Sequence, residues 1–331
     1  MIKNPNWKQL STRTTAVLSL LLLYLVLVGP VLAVGDEATP AAGEYSKGVK
    51  QCMTCHKEGK EKPAHEIFLT PMGSSADPNA PFGAGQHDCE TCHGPAKEHM
   101  KKQADGSRVP PPMTFSKDTP AEEKNAVCLS CHANGERFHW PGSAHDVEGV
   151  ACVDCHTVHK ADDPVLAQDT QPQVCFKCHQ EQRAQFLRQS RHPVQASSAA
   201  MSHTGLMSCT DCHKPHGSSG PALLVRNTIN ETCYDCHAEK RGPLLWEHAP
   251  VREDCTVCHT PHGSNYDNLL TARQPWLCQQ CHASSVHTSD VYSGTGIPPD
   301  GADQRILGKQ CMNCHTQVHG SNHPSGQALT R

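Results

Sequence analysis

The chain has 331 residues, 20 of them cysteine and 24 histidine, but only 37% hydrophobic and 5% aromatic residues, beside 25 Pro and 24 Gly. The length would admit two ordinary domains, yet so little apolar material cannot fill a conventional core, and thin cores depend on covalent or metal staples. A formal charge of -4 without a basic block excludes a nucleic-acid binder.

Lys3, Lys8 and Arg13 precede the apolar run Ala16–Val28, Gly29-Pro30 breaks it, and "VLA" ending at Ala33 suits a signal peptidase. Residues 1–33 are therefore expected to be a signal peptide and 34–47 a linker, and losing the three cations takes the charge from -4 to -7. An uncleaved anchor is the alternative, since Val31 and Leu32 extend the run toward a short span.

From residue 48 onward all 20 cysteines fall into ten copies of C-x-x-C-H. The cysteine pairs are Cys52/Cys55, Cys89/Cys92, Cys128/Cys131, Cys152/Cys155, Cys175/Cys178, Cys209/Cys212, Cys233/Cys236, Cys255/Cys258, Cys278/Cys281 and Cys311/Cys314. Disulfides give no reason for a histidine after every second cysteine, and neither does zinc. A thioredoxin-like site needs one pair, not ten. Attachment of c-type haem remains. Positions i, i+3 and i+4 share one helical face, so two thioethers and an imidazole can meet one porphyrin. Ten haems then supply the apolar interior that the side chains lack.

The motifs are spaced as two-haem modules, Cys152/Cys175, Cys209/Cys233 and Cys255/Cys278, with Cys89/Cys128 a looser copy and Cys52 and Cys311 as single-haem ends. Pro/Gly-rich linkers such as Arg108–Pro120 and Ser293–Asp303 separate them. The expected fold class is a multihaem cytochrome c: short α-helices, mostly irregular connections and almost no β, stacked as an elongated chain of modules. The decahaem domain, 48–331, is expected to divide into pentahaem halves, about 48–180 and 181–331.

Ten histidines close the motifs as proximal iron ligands: His56, His93, His132, His156, His179, His213, His237, His259, His282 and His315. A second set is expected to complete each iron. His159, His216 and His262 trail a proximal histidine by three residues, too close to reach the opposite face of the same porphyrin, so they should serve a neighbouring haem. His319 and His99 are variants of that device. His145 and His248 each precede a cysteine by seven residues, His192 in "SRHPV" has His203 as a rival, and His65 and His287 complete ten. His87, His139, His203 and His323 are left as solvated or propionate-bonded imidazoles. No methionine recurs comparably, and all-histidine ligation favours low potentials.

With "CETCHGPAKEH", "SRHPV" and "CTDCHKPHGS" at this spacing, the chain resembles the periplasmic decahaem cytochromes of the MtrA/DmsE type, of which PioA proteins are longer relatives. The resemblance implies bis-histidine haems on the residues above. It also implies a role as a molecular wire inside an MtrB-like outer-membrane β-barrel porin, linking periplasmic or inner-membrane cytochrome donors to an outer-surface multihaem cytochrome or reductase. The residues alone give part of this. Ten haems in line, each about the width of a helix, extend on the order of 100 Å, beyond a bilayer's ~40–45 Å. The alternatives are a soluble periplasmic shuttle or store and, at odds with ten intact motifs, a multihaem reductase.

Overall fold

The structure, a computed structural model, describes residues 43–46, 48–194, 207–282 and 310–331. Ser293–Asp303, His203 and His287 lie outside them. Single turns dominate. In nine motifs the histidine N–H donates to the carbonyl of the first cysteine, four residues back, at 2.9–3.1 Å. The tenth, Cys128–His132, lies wholly within a 12-residue helix, the longest described. Each motif is thus one helical turn, as its spacing predicts.

The turns alternate between two settings. Alternate motifs end or interrupt a helix: α1 (Val49–Cys52), α2 (Ala121–His132), α3 (Gln171–Cys175), α4 (Ile229–Tyr234) and α5 (Trp276–Gln279). The motifs between them open one, as in the helix Cys152–Cys155 and the 3-10 turns Cys209–Asp211, Cys255–Val257 and Cys311–Asn313. An opening turn exposes N–H groups that have no partner within it. A polar side chain from the preceding helix or its approach supplies the acceptor.

Asn125 Oδ1 accepts from Cys152 N at 2.8 Å while its Nδ2 donates to Val150 O at 3.0 Å. Asn230 repeats this on Cys255 N at 2.8 Å and on the carbonyls of Val251 and Arg252 at 3.0 Å. Gln171 accepts from Thr210 N at 3.2 Å, and Gln274 from Met312 N at 3.4 Å. At the first pair the direction reverses: Asp88 accepts from Val49 N at 3.2 Å and Glu90 from Ser46 N at 2.9 Å. These are N-caps delivered from another element, and a cap of this kind contributes about 1 kcal/mol.

The interior is correspondingly polar. Among the described residues, nine hydrophobic ones are buried against ten polar or charged ones, Glu90, Asn125, Gln171 and Asn230 among them. An apolar cluster of Phe176, Phe186 and Val194, with Met207 and Cys209 against it, packs beside the third clamp. Leu69, Phe138, Val147, Leu166 and Leu187 stay at least 70% exposed, so side-chain packing alone does not consume the apolar surface. The described residues contain no strand, only isolated bridges, and no helix among them is long and apolar enough to cross a membrane.

The clamps regroup the motifs. The spacing in sequence joins Cys152 to Cys175, Cys209 to Cys233 and Cys255 to Cys278. In space the first-cysteine thiols meet across that grouping, Cys52 with Cys89, Cys128 with Cys152, Cys175 with Cys209, Cys233 with Cys255 and Cys278 with Cys311. The reason is that, from Cys128 on, each clamp residue sits before one motif and caps the next, and at the first pair the cap runs the other way between the same two neighbours. Cys92 and Cys131, Cys155 and Cys175, Cys212 and Cys233, and Cys258 and Cys281 lie near enough to feel each other's charge. Attachment turns therefore neighbour one another in the order of the sequence.

Candidate metal centres

The attachment thiols are unequally covered. Six second cysteines, Cys55, Cys131, Cys178, Cys236, Cys281 and Cys314, are exposed, whereas every first cysteine is half-buried. The reason lies in the order of the turns. First cysteines cover one another in pairs, and the half-buried second cysteines Cys92, Cys155, Cys212 and Cys258 each lie near the motif that follows. Cys55, Cys131, Cys178, Cys236 and Cys281 belong to the motifs that end or interrupt a helix, whose paired neighbour meets them at the first thiol. Cys314 belongs to the last motif, with none after it to cover it. Exposure leaves these thiols accessible to a porphyrin edge, so their part in attachment is compatible with where they sit.

Eight proximal rings face a second histidine ring. The pairs are His56–His99, His93–His159, His156–His216, His179–His145, His213–His262, His237–His192, His259–His319 and His282–His248, with centroids 6.0–6.4 Å apart. An imidazole nitrogen binds a metal at about 2.0 Å, which puts two rings on opposite sides of one ion about 6 Å apart between centroids. The donor set and its spacing fit a six-coordinate haem iron.

No trailing histidine faces the proximal ring of its own motif. His159, His216, His262 and His319 each face the proximal ring two motifs earlier, and His99 the ring one motif earlier. His145, His192 and His248 skip the motif they precede and face the following one. His192 is placed against His237. His132 and His65 show no facing ring among the described residues, and His65 Nδ1 is buried without a partner. Of the remaining histidines, His87 stacks on Tyr45 at 3.8 Å, His139 packs edge-on to Phe138, and His323 Nδ1 accepts from Ser325 N at 3.2 Å.

The other ring nitrogen is fixed as well. Nδ1 of His56, His93, His99, His145, His192, His213, His248, His259 and His315 lies 2.6–3.1 Å from a backbone carbonyl. A carbonyl only accepts, so Nδ1 carries the hydrogen and Nε2 is free for a metal, the usual outer-shell device for a ligand histidine. Burial holds His93, His159, His216, His262 and His319 below the ordinary imidazole range, which keeps them neutral, as ligands must be.

Two carbonyls are aimed by strained backbone. Ala222 and Leu223, and in the matching loop Asn268 and Leu269, have φ of 50–58°, a left-handed conformation that costs a residue with a Cβ roughly 1–2 kcal/mol. It turns the Ala222 and Asn268 carbonyls onto His213 and His259 at 2.9 and 2.8 Å. The carbonyls before His216, His262 and His319 each meet another paired histidine: Pro215 O accepts from His145, Pro261 O from His192 and Val318 O from His248. Histidines of different facing pairs thus lock one another.

The glycine after His216, His262 and His319 admits this contact. A Cβ on Gly217 would lie 2.1 Å from His139 O, on Gly263 2.1 Å from Gln185 O, and on Gly320 2.2 Å from Leu244 Cδ1. Bridges Ser190–Ser264 and Trp246–Ser321 close two of the crossings. The clamps Asn125, Gln171, Asn230 and Gln274 escape a reading for metal ligands; their signal is an amide side chain three or four residues before every second motif from Cys128 on.

The loop after His156 departs from this plan. Its Nδ1 donates to the Asp163 carboxylate at 2.7 Å, with no carbonyl in that place. Burial pushes Asp163 upward, but hydrogen bonds from His156 and the backbone N–H groups of Thr157 and Val165 together hold its carboxyl below the usual range.

Comparison with known proteins gives the same pattern. The family model of the doubled CXXCH motif matches residues 203–242 and 248–287, and that of the NrfB-like cytochrome c-type protein matches 89–174. The first recognises the two-haem units legible in sequence. The chain is 47% identical over 296 residues to the multihaem cytochrome MtrA of Shewanella baltica, covering 88% of this chain and 84% of that protein. It is 24% identical over 195 residues to the cytochrome c-type protein NrfB of Haemophilus influenzae, covering 52% and 86%.

Proposed function

The chain belongs to the MtrA family of multihaem cytochromes and is an electron carrier with ten sites for covalently bound haem c, and we propose that it is a wire across the outer membrane. In this reading the exported chain lies in the periplasm and inside an MtrB-like β-barrel porin. It takes electrons from periplasmic or inner-membrane cytochromes and delivers them to an outer-surface multihaem cytochrome or reductase. The observation that carries the reading is the unbroken neighbour order of the attachment turns. A file of sites with no branch is what conduction between two ends requires.

Bound haem supplies one-electron exchange between ferric and ferrous iron. The chain's part is to hold each iron between the facing histidine pairs. Of the two proximal rings that remain, His65 is assigned to His132 and His287, outside the described residues, to His315. Ten histidine pairs leave no open iron position, which suits transfer rather than catalysis.

The test is purification by a tag on this chain from detergent-solubilised membranes, followed by reconstitution into liposomes. The expected result is a stoichiometric β-barrel partner and oxidation of an enclosed reductant by an impermeant external oxidant. Recovery of the chain alone, in the soluble periplasmic extract and without transmembrane activity, would overturn the conduit and favour a shuttle.

A further inference from the structure

His156 differs from the proximal rings whose Nδ1 faces a carbonyl, because its acceptor carries a charge. Asp163 is seven residues on, and its two oxygens are divided between two tasks. Oδ1 accepts from Thr157 N at 3.2 Å, Thr157 Oγ1 at 3.1 Å and Val165 N at 3.4 Å. Oδ2 faces His156 Nδ1 at 2.7 Å. The local turn therefore fixes the carboxylate before it meets the ring. Its side chain is only 14% exposed and that of His156 33%, so solvent screens the pair weakly. His237 is the nearest analogue, with Glu239 at 3.8 Å, but both side chains are more than half exposed and the separation is beyond a hydrogen bond.

We propose that Asp163 is a positioning and tuning residue for the haem attached at Cys152 and Cys155, holding it lower in potential than the haems whose histidine faces a carbonyl. The proposal rests on His156 being an axial ligand. A charge-assisted hydrogen bond is stronger and shorter than a neutral one. It draws the Nδ1 hydrogen toward the carboxylate and makes Nε2 a stronger donor. Stronger donation and a fixed negative charge nearby both favour ferric over ferrous iron. The couple exchanges one electron and no proton: Asp163 stays ionised and His156 keeps its Nδ1 hydrogen in both oxidation states. The fourth site then forms an uphill step in the file, one that sets direction-dependent rates without changing the haem spacing.

The test compares wild type with Asp163→Asn, which keeps an acceptor oxygen and removes the charge. Removing an outer-shell partner of this kind costs on the order of tenfold in metal affinity, and the same scale is taken for the preference between ferric and ferrous iron. In a potentiometric optical titration, one haem's share of the absorbance change at the low-potential edge should move upward by about tenfold in the ferric/ferrous ratio at fixed potential, about 59 mV for one electron. Low-spin electron paramagnetic resonance should persist, and Asp163→Glu should keep the wild-type edge. An unmoved edge in Asp163→Asn, with low-spin signals intact, overturns the proposal. His216→Ala separates this from failure of the ligand assignment, since it yields a high-spin haem only if the His156–His216 pair holds an iron. Should Asp163→Asn not mature, Thr157→Val serves. It strips a hydroxyl donor from the carboxylate and should lower the edge, and an unmoved edge there overturns the proposal equally.

Discussion

The loops that follow His213 and His259 and the loop that follows His156 start from nearly the same residues, "CHKPHGS", "CHTPHGS" and "CHTVHK". The first two keep a glycine after the trailing histidine, let another module's backbone press against it, and spend backbone strain at Ala222 and Asn268 to aim a carbonyl at the proximal ring. The third has Lys160 in place of that glycine and reaches its proximal ring with a side chain, Asp163. The same requirement, an acceptor for Nδ1, is met once by strained geometry and once by charge. A neutral acceptor shifts the iron's electronics less than a carboxylate does, so, on the proposal above, the loop without glycine is also the one that lowers the potential of its haem.

The largest test removes the cofactor. Both kinds of loop leave big apolar side chains open, and both depend on facing histidines with only short turns beneath them. Expressed without haem maturation, the protein should be unfolded and rapidly degraded, as metal-dependent small domains are without metal. A cooperative melt or protease-resistant fragments from such material would place the stability in the clamps instead.

Next, His216→Ala and His262→Ala should open different irons, those of His156 and His213, neither being that of the altered residue's own motif. Each should convert one haem to high spin by electron paramagnetic resonance while all ten stay covalently attached. Combined with Asp163→Asn, only the first should show its altered high-spin haem shifted in potential. Retained low-spin character in both would sink the cross-motif pairing.

Substitution at the shared glycine should split the loops. Gly263→Ala places a Cβ 2.1 Å from Gln185 O at a φ of 157°, and a clash with backbone should destabilise by about 1–3 kcal/mol. Lys160→Ala, at the corresponding place after His159, removes an exposed ion pair with Glu66 and should change stability by well under about 1 kcal/mol. Thermal unfolding of the haem-loaded proteins reads both.

The smallest difference between the two regions concerns clamps that they share. Asn125→Ala and Asn230→Ala each strip a buried amide and leave the N–H of Cys152 or Cys255 unsatisfied, at a cost of about 1–3 kcal/mol locally. Because other contacts hold the haem-loaded turns, the fall in melting temperature should be modest and nearly equal for the two. A much larger loss at Asn230 would mean that the strained loop beside it depends on the clamp.

The sequence by itself determined the chemistry. Ten C-x-x-C-H turns follow from i, i+3, i+4 spacing, which is local and insensitive to context, and the poverty of apolar side chains already calls for a cofactor interior. It also determined that His216 cannot serve the iron of its own motif, because three residues of chain cannot pass around a porphyrin. The partner of each ligand was decided only in three dimensions. His216 meets His156 and skips the motif between because Gly217 lets the distant backbone at His139 approach, a contact across 78 residues of sequence whose geometry no local spacing encodes. Coverage of the thiols was decided there too, since Cys55 and Cys92 have the same place in their motifs and differ only in which turn lies beside them. The same holds for the clamps, where Asn230 and Gln171 look like ordinary helix polars until the turn they cap arrives. Asp163 is one of several acidic residues in its loop on paper, and becomes distinct only when the turn at Thr157 delivers it to His156.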